Sequence, residues 1–181
     1  LNAANPRASN LMGHIVRWSE ANGDSSSTVF KWEIYTLAGD PNSTEPHLRG
    51  NVIGDTLGSP DGLWFDKRGI LWTQTDISTS TLGKGAYAQI PNNAMYASDP
   101  KTKEFRRFLI GPKGCEVTGI DMTPDMKTMF INIQHPGESP SERSNPQTPQ
   151  AISNWPDKNN FTRPRSATIA IWRDDGKVVG A

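Results

Sequence analysis

Cysteine is almost absent from the sequence, and long apolar runs and a net charge are absent altogether. Among 181 residues there is one cysteine, which excludes a disulfide within the chain and a cysteine-rich zinc site. The 19 basic residues balance the 19 acidic ones, leaving no broad cationic field for nucleic acid or an anionic membrane surface. The longest apolar stretches, such as residues 167–172, are far shorter than the roughly 20 residues that cross a bilayer. We therefore expect no nucleic-acid partner and no membrane partner.

A helical pattern is also missing, since no segment shows a sustained apolar stripe with a 3.6-residue period. Apolar and polar residues alternate instead in short runs rich in Val, Ile, Phe, Trp and Thr, which is typical of strands. The sequence predicts an all-β fold. The predicted strands are residues 13–19, 30–37, 62–65, 70–75, 94–97, 105–110, 119–122, 128–133, 168–172 and 177–179.

A repeat organises these strands. Residues 62–76 and 119–135 each read as strand, tight turn and strand, and each pair is followed by further predicted strands. A recurring four-stranded unit is the signature of a β-propeller blade. We predict a partial propeller of about two and a half antiparallel blades, with residues 1–40 ending one blade, 58–112 forming a second and 113–181 a third. A small β-sandwich or an open meander is the alternative.

The chain is short for a whole propeller, which usually has four to eight blades. Only 34% of the residues are hydrophobic, and the sequence starts at Leu1 instead of a methionine. We therefore expect a fragment of a longer chain, whose exposed blade edges invite self-association. Two long segments, residues 40–59 and 134–165, lack a strand pattern and are either flexible surface excursions or lids over a site.

Two carboxylates precede matched glycines in the repeat. Asp61 comes just before Gly62, and Glu116 lies three residues before Gly119, in loops that lead into the innermost strands. Because such loops open at one mouth of a propeller, we expect both carboxylates there, where hard oxygen ligands suit Ca²⁺ or a similar cation. The alternative for Asp61 is a turn residue before Gly62, whereas Glu116, between Cys115 and Val117 ahead of a strand pattern, has no obvious turn role.

Four further residues are weaker site candidates. Asp76 and His135 follow the second strand of their repeats, either as site residues or as caps of strand ends. Arg163 and Arg165 flank Pro164, and guanidinium groups bind phosphate in bidentate fashion, although a solvated pair is the alternative. Cys115 is expected to be buried. Core packing is expected for five tryptophans: Trp18, Trp32, Trp64, Trp72 and Trp172.

The familiar nucleotide and hydrolase motifs are missing: Gly-x-Ser-x-Gly, a Walker A loop, His-Glu-x-x-His and an EF-hand loop do not occur. Six segments in order along the chain instead resemble the PhoX-type alkaline phosphatases, a propeller family. They are GHIVRW (13–18), SPDGLWFD (59–66), LWTQTD (71–76), CEVTG (115–119), FINIQHPG (130–137) and RPRSAT (163–168).

The resemblance implies the C-terminal part of a metal-dependent phosphomonoesterase, exported folded by the twin-arginine route to the periplasm or outside the cell. It implies calcium and iron at the propeller mouth, with Asp61 and Glu116 as metal ligands and Asp76 and His135 as neighbours. It also implies that the fragment alone is inactive, because part of the site lies in blades that it lacks. Two alternatives remain: a non-catalytic propeller that calcium stabilises, and a calcium-dependent propeller lactonase.

Overall fold

The computed structural model of the chain describes residues 1–138, 145–158 and 162–181. In these ranges the regular structure consists of strands and two short 3-10 helices, Ala21–Gly23 and Gly85–Tyr87. The strands are β1 His14–Glu20, β2 Phe30–Leu37, β3 Ile53–Gly54, β4 Pro60–Phe65, β5 Leu71–Thr75, β6 Ala94–Ser98, β7 Glu104–Ile110, β8 Glu116–Met122, β9 Thr128–Gln134 and β10 Ala167–Trp172. Within the described part of the chain, no helix has the length and apolar character needed to span a membrane. The all-β prediction is confirmed.

Three antiparallel sheets follow one another along the chain, and we name them the first, second and third blade. The first blade pairs β1 with β2, and the third has the strand order β10-β9-β8. The second blade has the order β7-β6-β5-β4, with the short β3 added in parallel at its outer edge. The arrangement therefore contains one four-stranded unit between two partial ones.

Tight turns join neighbouring strands as the sequence predicts. In the turn between β4 and β5 the Asp66 carboxylate accepts the backbone N–H groups of Arg68 and Ile70, and Gly69 supplies a left-handed φ of 81°. In the matching turn of the third blade, the Asp125 carboxylate accepts the N–H of Lys127. In these turns the aspartate side chain accepts hydrogen bonds from backbone N–H groups that the chain reversal leaves without a backbone acceptor.

Two apolar layers hold the blades together, one on each side of the second blade. All five residues of β5 are buried, and successive side chains point to opposite faces. Leu71 therefore packs in the layer shared with the first blade, through Tyr35 and Phe105. Trp72 packs in the layer shared with the third blade, through Met129 and Ile131.

The strand predictions need two corrections. Residues 177–179 do not form a strand, because Val179 is instead held in the layer between the second and third blades. Its N–H donates to Met126 O at 3.0 Å, and its carbonyl accepts Arg68 Nη2 at 3.0 Å. The short strand Ile53–Gly54 was missed, because two residues are too few to show an alternating pattern.

The innermost strands of the second and third blades begin earlier than predicted. The register shifts between Pro60 and Leu63 in one and between Thr118 and Ile120 in the other, so Gly62 and Gly119 lie at β-bulges. A glycine in an alternating pattern is compatible either with the end of a strand or with a bulge inside it. Asp61 and Glu116 consequently lie inside β4 and β8, and the prediction that they lie in loops is wrong.

The expectation of core packing for the tryptophans holds only in part. Trp72 is buried and Trp64 packs at the edge of the same layer. Trp18, Trp32 and Trp172 are 60%, 42% and 64% exposed. They lie on the first and third blades and are largely outside the two apolar layers, so the prediction is wrong for these three.

Candidate metal centre

Glu116 begins β8, and its backbone pairs with Gln134 at the end of β9. The side chain is only 12% exposed, and its Oε2 lies 3.6 Å from His135 Nε2. The short segment before it is fixed, because Cys115 is fully buried between the blades and burial raises the pKa of its thiol to about 12. Cys115 is thus a protonated packing residue, as expected.

The charge around Glu116 is unfavourable for an ionised carboxyl group. Burial raises the pKa of Glu116 above its ordinary value, and the negative charges of Asp76 and Asp61 raise it further. His135 acts in the opposite direction and lowers it. Asp61 and Asp76 therefore both lie within electrostatic range of Glu116.

Asp61 and Asp76 frame Glu116 from the second blade. Asp61 is the second residue of β4 and Asp76 follows β5, and both side chains are exposed. The N–H of Asp76 donates to Ser59 O at 3.1 Å, which ties the end of β5 to the start of β4. Ser59 has a φ of 49°, a left-handed conformation that non-glycine residues adopt uncommonly and often near functional sites.

Asp76 and His135 were predicted to occupy equivalent positions, and the strand registers correct this by one residue. Pro60 pairs with Thr75 in the second blade, and Val117 pairs with Ile133 in the third. The counterpart of Asp76 is therefore Gln134. His135 lies one residue further along, because β9 continues for one more pair, Glu116 with Gln134, than β5 does.

His135 lies between two carboxylates. Besides the 3.6 Å approach of its Nε2 to Glu116, its Nδ1 lies 3.5 Å from Glu138 Oε2. Its backbone has a φ of 36°, and its N–H donates to Ser166 Oγ at 3.0 Å. The ring is therefore held at a strained position that presents one nitrogen to each carboxylate.

Glu138 was not singled out in the sequence. The segment from His135 to Glu138 is a tight turn in which Pro136 and Gly137 are the central residues, with Gly137 at a φ of 80°. The N–H of Glu138 donates to His135 O at 3.1 Å, which closes the turn. A Pro-Gly pair flanked by His and Glu is the signal from which this proximity was predictable.

Arg163 and Arg165 take different positions. Arg163 lines a cavity of about 270 Å³ whose wall also includes His135, Glu138 and Thr148. Arg165 donates from Nη2 and Nε to the Asp157 carboxylate at 2.8 and 3.1 Å. Of the two, Arg163 therefore shares a cavity wall with His135 and Glu138, and Arg165 is engaged by its own ion pair.

The donor set is suited to a hard cation but is incomplete. Its oxygens come from carboxylates that repel one another, which a bound cation relieves. In the described ranges, however, no three potential ligands among His, Cys, Asp and Glu are close enough to hold a metal ion together. The described residues therefore do not form a metal site by themselves.

A comparison with known protein families identifies the family of this chain. Residues 1–137 match the family described as alkaline phosphatase PhoX. The chain belongs to the PhoX family. A comparison with curated proteins gives no match.

The structure of Pseudomonas fluorescens PhoX, determined in complex with vanadate, a transition state analogue, is similar to this PhoX chain. The two are 42% identical in sequence and superpose with a TM-score of 0.86. The likeness covers 98% of this chain and 29% of the Pseudomonas chain. It confirms the partial propeller and the resemblance stated above, and it shows that this chain spans less than a third of that relative.

Proposed function

We propose that this chain is part of a phosphatase that hydrolyses phosphate monoesters with the help of calcium and iron. The observation that carries the proposal is the largely buried Glu116 carboxyl group, whose pKa is raised by burial and by two neighbouring aspartates. Such an arrangement costs stability unless a cation offsets it, so it is more typical of a binding site than of a structural cluster. Membership of the PhoX family supplies the reaction class.

The residues divide into three roles in this proposal. Glu116 and Asp61 offer carboxylate oxygens as metal ligands, and Asp76 adds negative charge beside them. Arg163, in the wall of the cavity next to His135, binds the phosphate group of the substrate. When bound, hard cations neutralise charge on the phosphoryl oxygens and orient the attacking oxygen.

The isolated chain is inactive in this proposal, and the remaining blades complete the site. Two observations support this view. The chain spans 29% of the Pseudomonas protein. Within the part of the chain that the structure describes, no group of three ligands is assembled.

The location of the enzyme belongs to the same proposal. We infer a periplasmic or secreted protein that is exported folded by the twin-arginine route, since a metal centre built from several blades is best loaded in a folded chain. Fractionation of cells that produce the full-length protein tests this inference, and activity confined to the cytoplasm contradicts it.

The direct test is hydrolysis of p-nitrophenyl phosphate by the full-length protein, with and without a calcium chelator. We expect turnover that the chelator abolishes and added calcium restores. Calcium binding without phosphatase activity would favour the non-catalytic propeller instead. Activity on lactones but not on phosphate esters would favour the lactonase.

A further inference from the structure

Each of the two imidazole nitrogens of His135 lies close to a carboxylate. Its Nε2 lies 3.6 Å from Glu116 Oε2 and its Nδ1 lies 3.5 Å from Glu138 Oε2. Nδ1 is buried, and it makes no hydrogen bond within the described residues. Both distances are slightly longer than a hydrogen bond, and such contacts often shorten when a site is loaded.

The backbone around His135 is tied to the backbone that precedes Glu116. The N–H of Gly137 donates to Lys113 O at 2.8 Å, and the N–H of Glu138 donates to Gly114 O at 3.2 Å. With the N–H of His135 bound to Ser166 Oγ, these bonds hold the ring at a φ of 36°. A strained residue held by several hydrogen bonds is pre-organised for a task.

We propose that His135 is a positioning residue for Glu116, oriented in turn by Glu138, and that it is not a metal ligand. The inference rests on the proposed function, in which Glu116 binds a cation. A metal ligand needs one ring nitrogen directed at the metal, whereas here each nitrogen already faces a carboxylate. Outer partners of this kind fix the orientation of a ligand and tune its affinity.

Three variants of the full-length protein test this role: His135→Ala, His135→Gln and Glu138→Gln. The control is Glu104→Gln, at an exposed strand residue paired with Arg106. Two quantities are measured, the calcium dissociation constant by titration and kcat with p-nitrophenyl phosphate. The calcium titration does not depend on catalysis, and the two glutamine variants preserve the size of the side chain.

We expect His135→Ala and Glu138→Gln to weaken calcium binding about 10-fold and to lower kcat about 10- to 100-fold. His135→Gln, whose amide N–H reaches the same carboxylate, restores both to within about 3-fold of wild type. KM changes little, because the substrate contacts are unchanged.

Two results overturn the inference. If His135→Gln loses calcium as completely as His135→Ala while Glu138→Gln binds normally, His135 is a metal ligand. If all three variants keep wild-type calcium affinity and kcat, its role is purely structural. Failure of the proposed function is distinguishable: wild type then binds calcium but does not hydrolyse phosphate esters, and the calcium titrations still decide the role of His135.

Discussion

At the scale of single residues, the molecule places carboxylates where they destabilise each other. Glu116 is 12% exposed, and burial together with Asp76 and Asp61 raises its pKa. Asp66, in contrast, has no exposed side-chain surface and is fully satisfied by hydrogen bonds. The two buried carboxylates therefore differ in how well their charge is compensated by neighbouring groups.

Replacing Glu116 by Gln should therefore stabilise the metal-free protein at neutral pH. An acid whose folded-state pKa is raised binds its proton more tightly when folded, so folding stability falls as pH rises from the ordinary value near 4.5 through the raised one. Gln carries no charge and escapes this loss. Thermal unfolding at pH 4 and pH 7 in the presence of a chelator measures this difference in stability. We expect Glu116→Gln to have a higher unfolding midpoint than wild type at pH 7 but not at pH 4.

Calcium supplies the control for this prediction. With saturating calcium the order reverses, because only the wild type gains stability from binding. A variant that is less stable than wild type without metal would show that Glu116 stabilises the fold itself.

At the scale of elements, the turn between β4 and β5 locks the second blade to the third. Asp66 accepts Arg68 Nη2 at 2.6 Å and Trp72 Nε1 at 3.1 Å, and the same Arg68 nitrogen donates to Val179 O. Although burial alone raises the pKa of Asp66, the hydrogen bonds from Arg68 and Trp72 hold it below its ordinary value. The buried Asp66 carboxylate therefore holds the turn and the Trp72 ring in place and, through Arg68, fixes the backbone at Val179.

Asp66→Asn should lower the free energy of unfolding by about 2 to 4 kcal/mol at pH 7, since it leaves buried donors poorly matched. Because the folded-state pKa of Asp66 is depressed, its contribution is present above the ordinary value of 3.8 and is lost as pH falls through the lower one. Urea unfolding at pH 7 and pH 3 measures both parts. The matched control is Asp125→Asn in the exposed turn of the third blade; an equal loss in both variants would contradict the role of burial.

The sequence predicts local features of these elements better than distant contacts. Alternation and turn chemistry identify the hairpins, including the one closed by Asp66, because both signals lie within a few residues. The predicted strands begin too late, at Gly62 and Gly119, because a glycine can mark either a bulge inside a strand or the end of one. Residues 177–179 alternate like a strand, but their partners, Arg68 and Met126, are far away in sequence.

The candidate site shows the same limit. The repeat predicts that Asp61 and Glu116 share one mouth, and the charge environment of Glu116 agrees. It does not predict that His135 contacts both Glu116 and Glu138, because this depends on a strained turn and on backbone bonds to Lys113 and Gly114. Arg165 likewise pairs with Asp157, a contact that no motif indicates.

At the scale of the whole molecule, most of the exposed aromatic side chains in the described residues lie on the first and third blades. Trp18 and Trp32 face each other across β1 and β2, and Phe130 and Trp172 lie on the exposed face of the third blade. In a closed propeller such faces pack on the next blade. These faces account for the large aromatic side chains that are exposed to solvent in a chain with few apolar residues.

The 181-residue chain expressed alone should therefore self-associate. Exposed aromatic faces and open strand edges favour contacts between copies. Light scattering coupled to size exclusion measures the mass, and we expect Trp18→Ser combined with Trp172→Ser to shift it toward the monomer. Leu11→Ser, at an exposed residue outside the strands, is the control; a monomeric wild type at high concentration would contradict the prediction.

The central claim is that Glu116 belongs to the metal centre of a phosphatase. The most direct measurement is kcat/KM of the full-length protein for p-nitrophenyl phosphate, compared between wild type, Glu116→Gln and the control Glu104→Gln. We predict a loss of about 100-fold or more for Glu116→Gln, beyond the usual effect of an outer partner, and an unchanged value for the control. Full activity in Glu116→Gln would contradict the account.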